Sequence, residues 1–130
     1  MIRVTCLADV AREQIAMLIA VLERAGLAMS PSVASLDVVE LGKLAPDVLV
    51  ADLDALTVDP LERLRQLRFV LPSCIIVVYT ANNTRAWGVE YHLAGANAVL
   101  SKASTEAELA AGVRSALQRG CFTDPRLTIA

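Results

Sequence analysis

Five polar side chains stand at or just beyond the ends of short apolar runs in the sequence. They are Asp9, Asp52, Asp54, Thr80 and Lys102. Carboxylates that lie close together repel one another, so such a site must recruit a cation or raise a pKa. Their oxygens suit a hard divalent ion, Mg²⁺ above all. A lysine and a hydroxyl nearby suit a tetrahedral oxyanion such as a phosphoryl group. These residue types predict a phosphoryl or metal site if the fold brings them together.

Each of these residues also has a plainer explanation when it is taken alone. An aspartate at the end of a strand is more often a turn or capping residue. Lys102 could be a solvated surface charge and Thr80 a capping hydroxyl. Asp54 could be a loop residue whose backbone carbonyl matters more than its carboxylate. The five residues can form one site only if the strands place them together.

Apolar runs and segments of helical period alternate along the chain. The predicted strands cover residues 2–8, 27–30, 47–52, 75–79 and 96–100. The predicted helices cover residues 10–25 and 36–44, the stretch from an Asp59 cap to Pro72, one from Asn83 or Thr84 to Ala94, and one from a Ser104 or Thr105 cap to Gly120. At the third helix, Pro60 suits the first helical position and Glu62 can complete a capping box.

This alternation predicts an α/β fold with a parallel sheet covered by helices on both faces, because parallel neighbours need crossover connections. For five strands we expect a flavodoxin-like (βα)5 doubly wound sheet with the strand order 2-1-3-4-5. Ligands of such sheets bind beyond the carboxyl ends of the strands, where the strand order reverses. The five polar side chains are expected in that crevice.

Composition limits the possible functions. The chain has 130 residues, of which 55% are hydrophobic, so it is expected to form one globular domain. A net charge of -2 argues against direct nucleic-acid binding. The longest apolar run, residues 15–22, is too short to span a membrane. Without a secretory signal pattern we expect a cytoplasmic protein. No glycine-rich phosphate loop follows a strand, which disfavours a nucleotide-binding enzyme.

Three segments carry a resemblance to a known family. Pro46–Asp52 looks like a strand that ends in a phospho-accepting aspartate, and Val78–Ala81 like a strand that ends in a Thr/Ser-Ala pair. Ala94–Ala96 followed by Leu100–Lys102 looks like the segment that leads to a phosphate-contacting lysine. Over essentially its whole length the chain resembles the CheY-like receiver domain of two-component response regulators.

The tail, residues 119–125, is similar to receivers of the NarL/LuxR subfamily. In that subfamily it leads through a linker to a helix-turn-helix domain. We therefore expect a receiver-like domain at residues 1–120. Residues 121–130 are expected to form a C-terminal tail, which would start a linker to a DNA-binding output domain outside this chain if the receiver is cut from a longer regulator.

The resemblance implies a signalling role and no enzymatic activity. Asp52 would accept a phosphoryl group from a histidine kinase, and Thr80 and Lys102 would bind the phosphoryl oxygens. Asp9, Asp52 and the backbone carbonyl of Asp54 would hold Mg²⁺. The added charge would then switch a protein-interaction surface.

Three departures from the family pattern favour an altered switch. The first strand ends in a single acid, Asp9; Ala8 or Val10 replaces the second, according to the alignment, and we favour Ala8. Val99 stands where receivers commonly carry an aromatic reporter, and Leu56 where they usually carry proline. The alternative is a degenerate pseudo-receiver, a phosphorylation-independent interaction or dimerisation module.

Two helices suggest contacts with other proteins. Trp87 and Tyr91 lie four residues apart beside a predicted core face of Ala86, Val89 and Leu93, and form either a partly buried margin or a partner-binding patch. The first helix is apolar nearly all round, which suggests a homodimer.

Overall fold

Strands and helices alternate along the chain in the computed structural model, which describes residues 4–27 and 32–128. Its strands are β1 (Thr5–Ala8), β2 (Ser32–Ala34), β3 (Val48–Ala51), β4 (Ile75–Thr80), β5 (Ala98–Ser101) and β6 (Phe122–Thr123). Its α-helices are α1 (Arg12–Arg24), α2 (Val38–Leu44), α3 (Pro60–Val70), α4 (Arg85–Ala94) and α5 (Glu106–Arg119). The strand predicted at residues 27–30 lies mostly outside the described residues, and β2 begins only at residue 32.

The strands form one parallel sheet in the order β2-β1-β3-β4-β5-β6. Successive side chains of a strand point to opposite faces. In β3, Leu49 and Ala51 therefore pack with α2, α3 and α4, whereas Val48 and Val50 pack with α1 and α5. The predicted α/β architecture with parallel strands and helices on both faces is confirmed. The short β6 is an addition that the sequence pattern did not predict.

Side chains at the helix starts settle two choices that the sequence left open. Thr84 begins α4 and Thr105 begins α5, each accepting a hydrogen bond from the amide three residues on. Glu108 completes a capping box with Thr105. The capping box predicted at Asp59 is wrong. Asp59 accepts from the amide two residues on, and Glu62 pairs with an arginine of its own helix.

Arg68, near the end of α3, holds the amino ends of β4 and β5. Its guanidinium donates to four backbone carbonyls and one side-chain amide oxygen at 2.6–3.2 Å. The acceptors belong to Leu71, Pro72, Cys74, Gly95 and Asn97. Guanidinium presents several donors in a fixed plane, so one side chain can satisfy this many carbonyls. This edge of the sheet lies opposite the carboxyl ends of the strands.

Residues 122–128, here termed the C-terminal segment, belong to the folded domain. They form β6 beside β5 and then a 3₁₀ turn at Pro125–Leu127. Asp124 is only 3% exposed, and its carboxylate accepts a hydrogen bond from the Ser104 hydroxyl at 2.6 Å. The tail expected from residue 121 onwards is therefore ordered against β5 and α4 over this range.

The predicted core face of α4 is wrong. Leu93 is 77% exposed, and Ala86 and Val89 also face outward. Tyr91 is fully buried instead, and half-buried Trp87 packs on it with ring centroids 5.3 Å apart. The aromatic pair therefore belongs mainly to the core, while the aliphatic side chains of this helix form its surface.

The apolar surplus of α1 is largely used inside the domain. Ile15, Met17 and Ile19 are half-buried and pack against the core layer that α1 shares with α5. No large apolar side chain of α1 is among the exposed hydrophobic residues of the described chain. The apolar face of α1 on which homodimerisation was predicted therefore packs largely within the domain. Homodimerisation itself is untested and stays a prediction.

We expect Gly88→Ala to destabilise the domain because the C-terminal segment packs closely on α4 at Gly88. An added Cβ would lie 2.9 Å from the Leu127 carbonyl oxygen and 3.1 Å from its Cβ. Forcing this contact apart should lower the free energy of unfolding by about 1–3 kcal/mol. The free energies of both proteins would be measured by urea denaturation.

Gly42→Ala is the matched control, since an added Cβ there would meet nothing closer than the Val70 Cβ at 3.7 Å. Alanine favours the helical interior, so this variant should gain up to about 1 kcal/mol. Equal effects of the two substitutions would contradict the proposed close approach.

Candidate functional site

The carboxyl ends of β3, β4 and β5 meet at one edge of the sheet because these strands are parallel neighbours. Asp52 follows β3, Thr80 ends β4 and Lys102 follows β5. The Lys102 Nζ atom lies 2.7 Å from the Asp52 Oδ2 atom and 2.9 Å from the Asp54 Oδ2 atom. The structure thus joins four of the five predicted residues, Asp52, Asp54, Thr80 and Lys102, in one cluster.

The Asp54 carboxylate points back into this cluster. Its Oδ1 atom accepts a hydrogen bond from the Thr80 hydroxyl at 2.7 Å, and its Oδ2 atom accepts one from the Ala81 amide at 2.8 Å. The Asp54 amide in turn donates to the Asp52 Oδ1 atom at 3.0 Å. Both carboxylates are therefore bonded to protein donors through both of their oxygens.

Asp9 lies apart from the other four residues. Its backbone has a left-handed φ of 54°, and its amide donates to the Ala34 carbonyl of β2 at 3.0 Å. Its side chain is exposed and, within residues 4–27 and 32–128, forms no ion pair or hydrogen bond with the cluster. The backbone beside it is shared between two strands: the Asp9 amide bonds to β2, and the carbonyl of Ala8 accepts from the Asp52 amide at 3.1 Å.

The charges of the cluster stabilise one another. Burial raises the pKa of Asp54, but the hydrogen bonds from Ala81, Thr80 and Lys102 outweigh burial and bring the pKa below its ordinary value. Partial burial lowers the pKa of Lys102, but its hydrogen bonds to Asp52 and Asp54 bring the pKa above its ordinary value. The cluster therefore holds one ammonium and an ionised Asp54 at neutral pH.

The carboxylate oxygens of the cluster, as arranged, do not fit the Mg²⁺ that the resemblance implies. A magnesium ion needs several oxygens around one point. The oxygens of Asp52 and Asp54 already accept bonds from Lys102, Thr80 and backbone amides. No group of three or more potential metal ligands is present in the described part of the chain. An ammonium compensates these carboxylates, and Mg²⁺ binding stays a prediction.

Three contributions to the cluster were not predicted as functional. The Ala81 amide lies within the segment that carries the resemblance, but its backbone donor was not considered. The Tyr79 ring lies under the ammonium of Lys102, with the Nζ atom 5.6 Å from the ring centroid, a distance that suits a cation–π contact. The carboxylate of Asp54 was considered less important than its carbonyl. Nothing in the sequence indicates which way a side chain turns three residues beyond a strand.

Hydrogen bonds link the cluster to the loop that leads into α4. The Thr80 hydroxyl accepts from the Asn82 amide at 3.0 Å, and the Ser101 hydroxyl donates to the Asn83 side chain at 2.8 Å. The Lys102 amide donates to the Thr80 carbonyl at 2.8 Å. A change in the partner of Thr80 or Lys102 would therefore reach the start of α4 directly.

Val99 is fully buried in the core layer that also holds Tyr91. The position therefore offers no side chain that could move between the interior and the surface, as the sequence departure suggests. Leu56 packs against the same layer. The loop hydrogen bonds are the direct link between the cluster and α4 that the described residues show.

Solved structures resemble the chain over nearly its whole length. A LuxR-family two-component response regulator from Aurantimonas sp. SI85-9A1 superposes with a TM-score of 0.77 at 22% identity, over 98% of this chain and 93% of that one. The isolated REC domain of RcsB from Salmonella enterica serovar Typhimurium, with phosphomimetic BeF3⁻, gives 0.78 at 21% identity, over 98% and 97%. This chain has the receiver-domain fold. A LuxR-family DNA-binding response regulator from Silicibacter pomeroyi gives 0.73 at 20% identity, over 95% and 98%.

Two further comparisons add limits. No protein-family model and no curated protein matches the chain by sequence. No helix within the described residues is long and apolar enough to cross a membrane. The likeness to receivers therefore rests on the fold, and the roles of individual residues rest on the geometry of the cluster.

The low pKa of Asp54 predicts a stability difference that depends on pH. Asp54 releases its proton more readily in the folded chain than in the unfolded one, so its ionisation stabilises the fold above the unfolded pKa. This contribution is lost as the pH falls through the folded pKa, below about 4. We expect the stability difference between the wild type and Asp54→Asn to shrink over that range. Urea midpoints measured with EDTA from neutral pH down to acid test this, and a constant difference would contradict it.

Proposed function

We propose that the chain is a receiver domain in phosphorelay signalling, with Asp52 as the phosphoryl acceptor. One observation carries the proposal: the Asp52 carboxylate lies at the carboxyl ends of the strands with an ammonium 2.7 Å away. A hydroxyl and a backbone amide, those of Thr80 and Ala81, point into the same cluster. Together they form a donor set suited to the oxygens of a phosphoryl group.

In the proposed reaction, an Asp52 carboxylate oxygen attacks the phosphorus atom of a phosphohistidine or an acyl phosphate. The new bond joins this oxygen to phosphorus, and the phosphorus–nitrogen or phosphorus–oxygen bond of the donor breaks with its electron pair on the leaving group. Asp52 is 6% exposed, so its nucleophilic oxygens lie in a shielded position. Lys102 is placed to compensate the negative charge that collects on the phosphoryl oxygens.

The output of this reaction would be a changed surface near α4. A phosphoryl group adds a charge of about -1.5 to -2 and new acceptor oxygens. Thr80 and Lys102 would turn to these oxygens, and their bonds to Asn82 and to the end of β4 would carry the change into the loop before α4. The exposed Val89 and Leu93 lie on the helix that this loop begins.

The proposed partners follow from the same role. A histidine kinase would donate the phosphoryl group, and a DNA-binding output domain outside this chain would read the altered surface. The receiver itself would act in the cytoplasm as an acceptor and not as an enzyme. One of its structural neighbours is described as a DNA-binding response regulator, which supports this kind of output.

A phosphorylation-independent interaction module is the second candidate. It is favoured by the isolation of Asp9 from the cluster and by the engagement of Thr80 and Lys102 with Asp54. In that case the same fold would present its α4 surface constitutively. The two candidates differ in whether Asp52 can carry a phosphoryl group.

Intact-mass measurement after incubation with acetyl phosphate distinguishes these candidates. The wild type should gain one phosphoryl group, tested with and without Mg²⁺. Asp52→Asn should gain none because an amide oxygen is a poor nucleophile, and Lys102→Ala should gain it at least about tenfold more slowly because a charge-assisted hydrogen bond is lost. Asp59→Asn, an exposed helix cap, is the control and should match the wild type. An adduct on Asp52→Asn would contradict the assignment, and no adduct on the wild type would favour the second candidate.

A further inference from the structure

Three donors of different kinds converge on the Asp54 carboxylate. They are the Thr80 hydroxyl at 2.7 Å, the Ala81 amide at 2.8 Å and the Lys102 ammonium at 2.9 Å. The Asp54 side chain is only 19% exposed although the residue as a whole is exposed, so its carboxylate turns inward from an exposed stretch of backbone. The donors leave no oxygen of the carboxylate without a partner.

The same three donors are those that a phosphoryl group on Asp52 would need. Lys102 contacts the Asp52 Oδ2 atom at 2.7 Å, so an anion attached to Asp52 would extend into the space between Lys102, Thr80 and Ala81. A carboxylate presents two acceptor oxygens in a plane and a phosphoryl group presents three in a pyramid, so both can accept hydrogen bonds from such donors. They cannot both use one hydroxyl proton and one amide proton.

We infer that the Asp54 carboxylate is a built-in substitute for the phosphoryl group, which occupies the oxyanion donors of the resting domain and must leave them before Asp52 can be phosphorylated. The inference rests on the proposed function of Asp52 and adds a regulatory element to the same site. Asp54 is in this sense a positioning residue: it makes no bond to the incoming phosphorus.

The exchange requires only a local movement. The Asp54 amide is bonded to the Asp52 Oδ1 atom, so the backbone of Asp54 can stay in place while its side chain rotates outward. Residues 55–59 have no regular structure and include exposed Ala55 and Val58, so solvent lies close to the released carboxylate. Thr80 and Lys102 then change anion without losing a partner.

Two consequences follow for signalling. First, in the resting domain Thr80 and Lys102 already hold an anion. The Thr80 hydroxyl still accepts from Asn82 and the Ser101 hydroxyl still donates to Asn83, so these bonds to the loop before α4 form without a phosphoryl group. Second, phosphorylation has to compete with an internal anion that is always present. The receiver therefore needs a more reactive or more concentrated phosphoryl donor than it would with an uncharged residue at position 54.

The test compares wild-type protein with Asp54→Ala and Asp54→Asn in two measurements. The first is the rate of adduct formation with subsaturating acetyl phosphate, followed by intact mass. Asp54→Ala should react about tenfold faster than the wild type, the value of one charge-assisted hydrogen bond. Asp54→Asn should lie between them, because its amide oxygen can still accept from Thr80 but attracts Lys102 less. Glu23→Ala, an exposed acid on α1, is the control and should match the wild type.

The second measurement is the amide NMR spectrum of the proteins without any phosphodonor. The Ala81 amide proton should move upfield in Asp54→Ala because it loses its carboxylate acceptor. It should stay in place in Glu23→Ala. This readout depends on the resting arrangement alone and not on phosphoryl chemistry.

The outcomes separate the inference from the proposed function. A faster Asp54→Ala with a shifted Ala81 amide supports both. Equal rates in the wild type and Asp54→Ala overturn the inference and leave Asp52 as an acceptor. If neither protein forms an adduct, the proposed function fails. The Ala81 amide then tests the occupancy of the donors by Asp54: a shift in Asp54→Ala supports this occupancy, and an unshifted amide overturns the inference.

Discussion

Lys102 lies between two carboxylates that end the same strand, and the whole carboxyl edge of the sheet depends on this arrangement. Asp52 and Asp54 would repel each other without a cation between them. A partly buried ion pair contributes little by itself, but the loss of one partner leaves an uncompensated charge. The ammonium therefore fixes the loop after β3, and its own backbone amide fixes the end of β4 through the Thr80 carbonyl. The segments that follow β3, β4 and β5 are joined at this one residue.

The fold could be predicted from the sequence wherever burial leaves a strong pattern. Residues 75–78 of β4 are β-branched and apolar because both faces of the strand are covered, and a strand over residues 75–79 was predicted for that reason. β6 is two residues long and has no pattern of its own, since its pairing with β5 is set by the turn after α5. The face of α4 was predicted wrongly because hydropathy ranks the aliphatic Leu93 above Tyr91, whereas the helix buries the larger aromatic side chain. Contacts with the C-terminal segment, such as that between Gly88 and Leu127, help to set the rotation of the helix.

The site was predictable as far as it follows from strand ends. Asp52, Thr80 and Lys102 come together because parallel neighbours bring their carboxyl ends to one edge. The position of Asp9 was predicted less well, since the left-handed residue that turns the chain toward β2 has no sequence signature for a non-glycine residue. The inward turn of Asp54 depends on three donors from other segments, which no local pattern contains.

The hydrogen bonds of the Arg68 guanidinium hold the carboxyl end of α4 differently from its amino end. This guanidinium holds the Gly95 carbonyl at the carboxyl end of α4, and His92 of the same helical turn is bonded to Ala96 and Thr123. The opposite end of α4 begins at a loop held by the anion cluster. Gly88, at the end of the first turn of α4, also packs closely on Leu127. The helix is thus held near both ends, so an exchange of anions at Thr80 would change the loop before α4 while the last turn keeps its contacts.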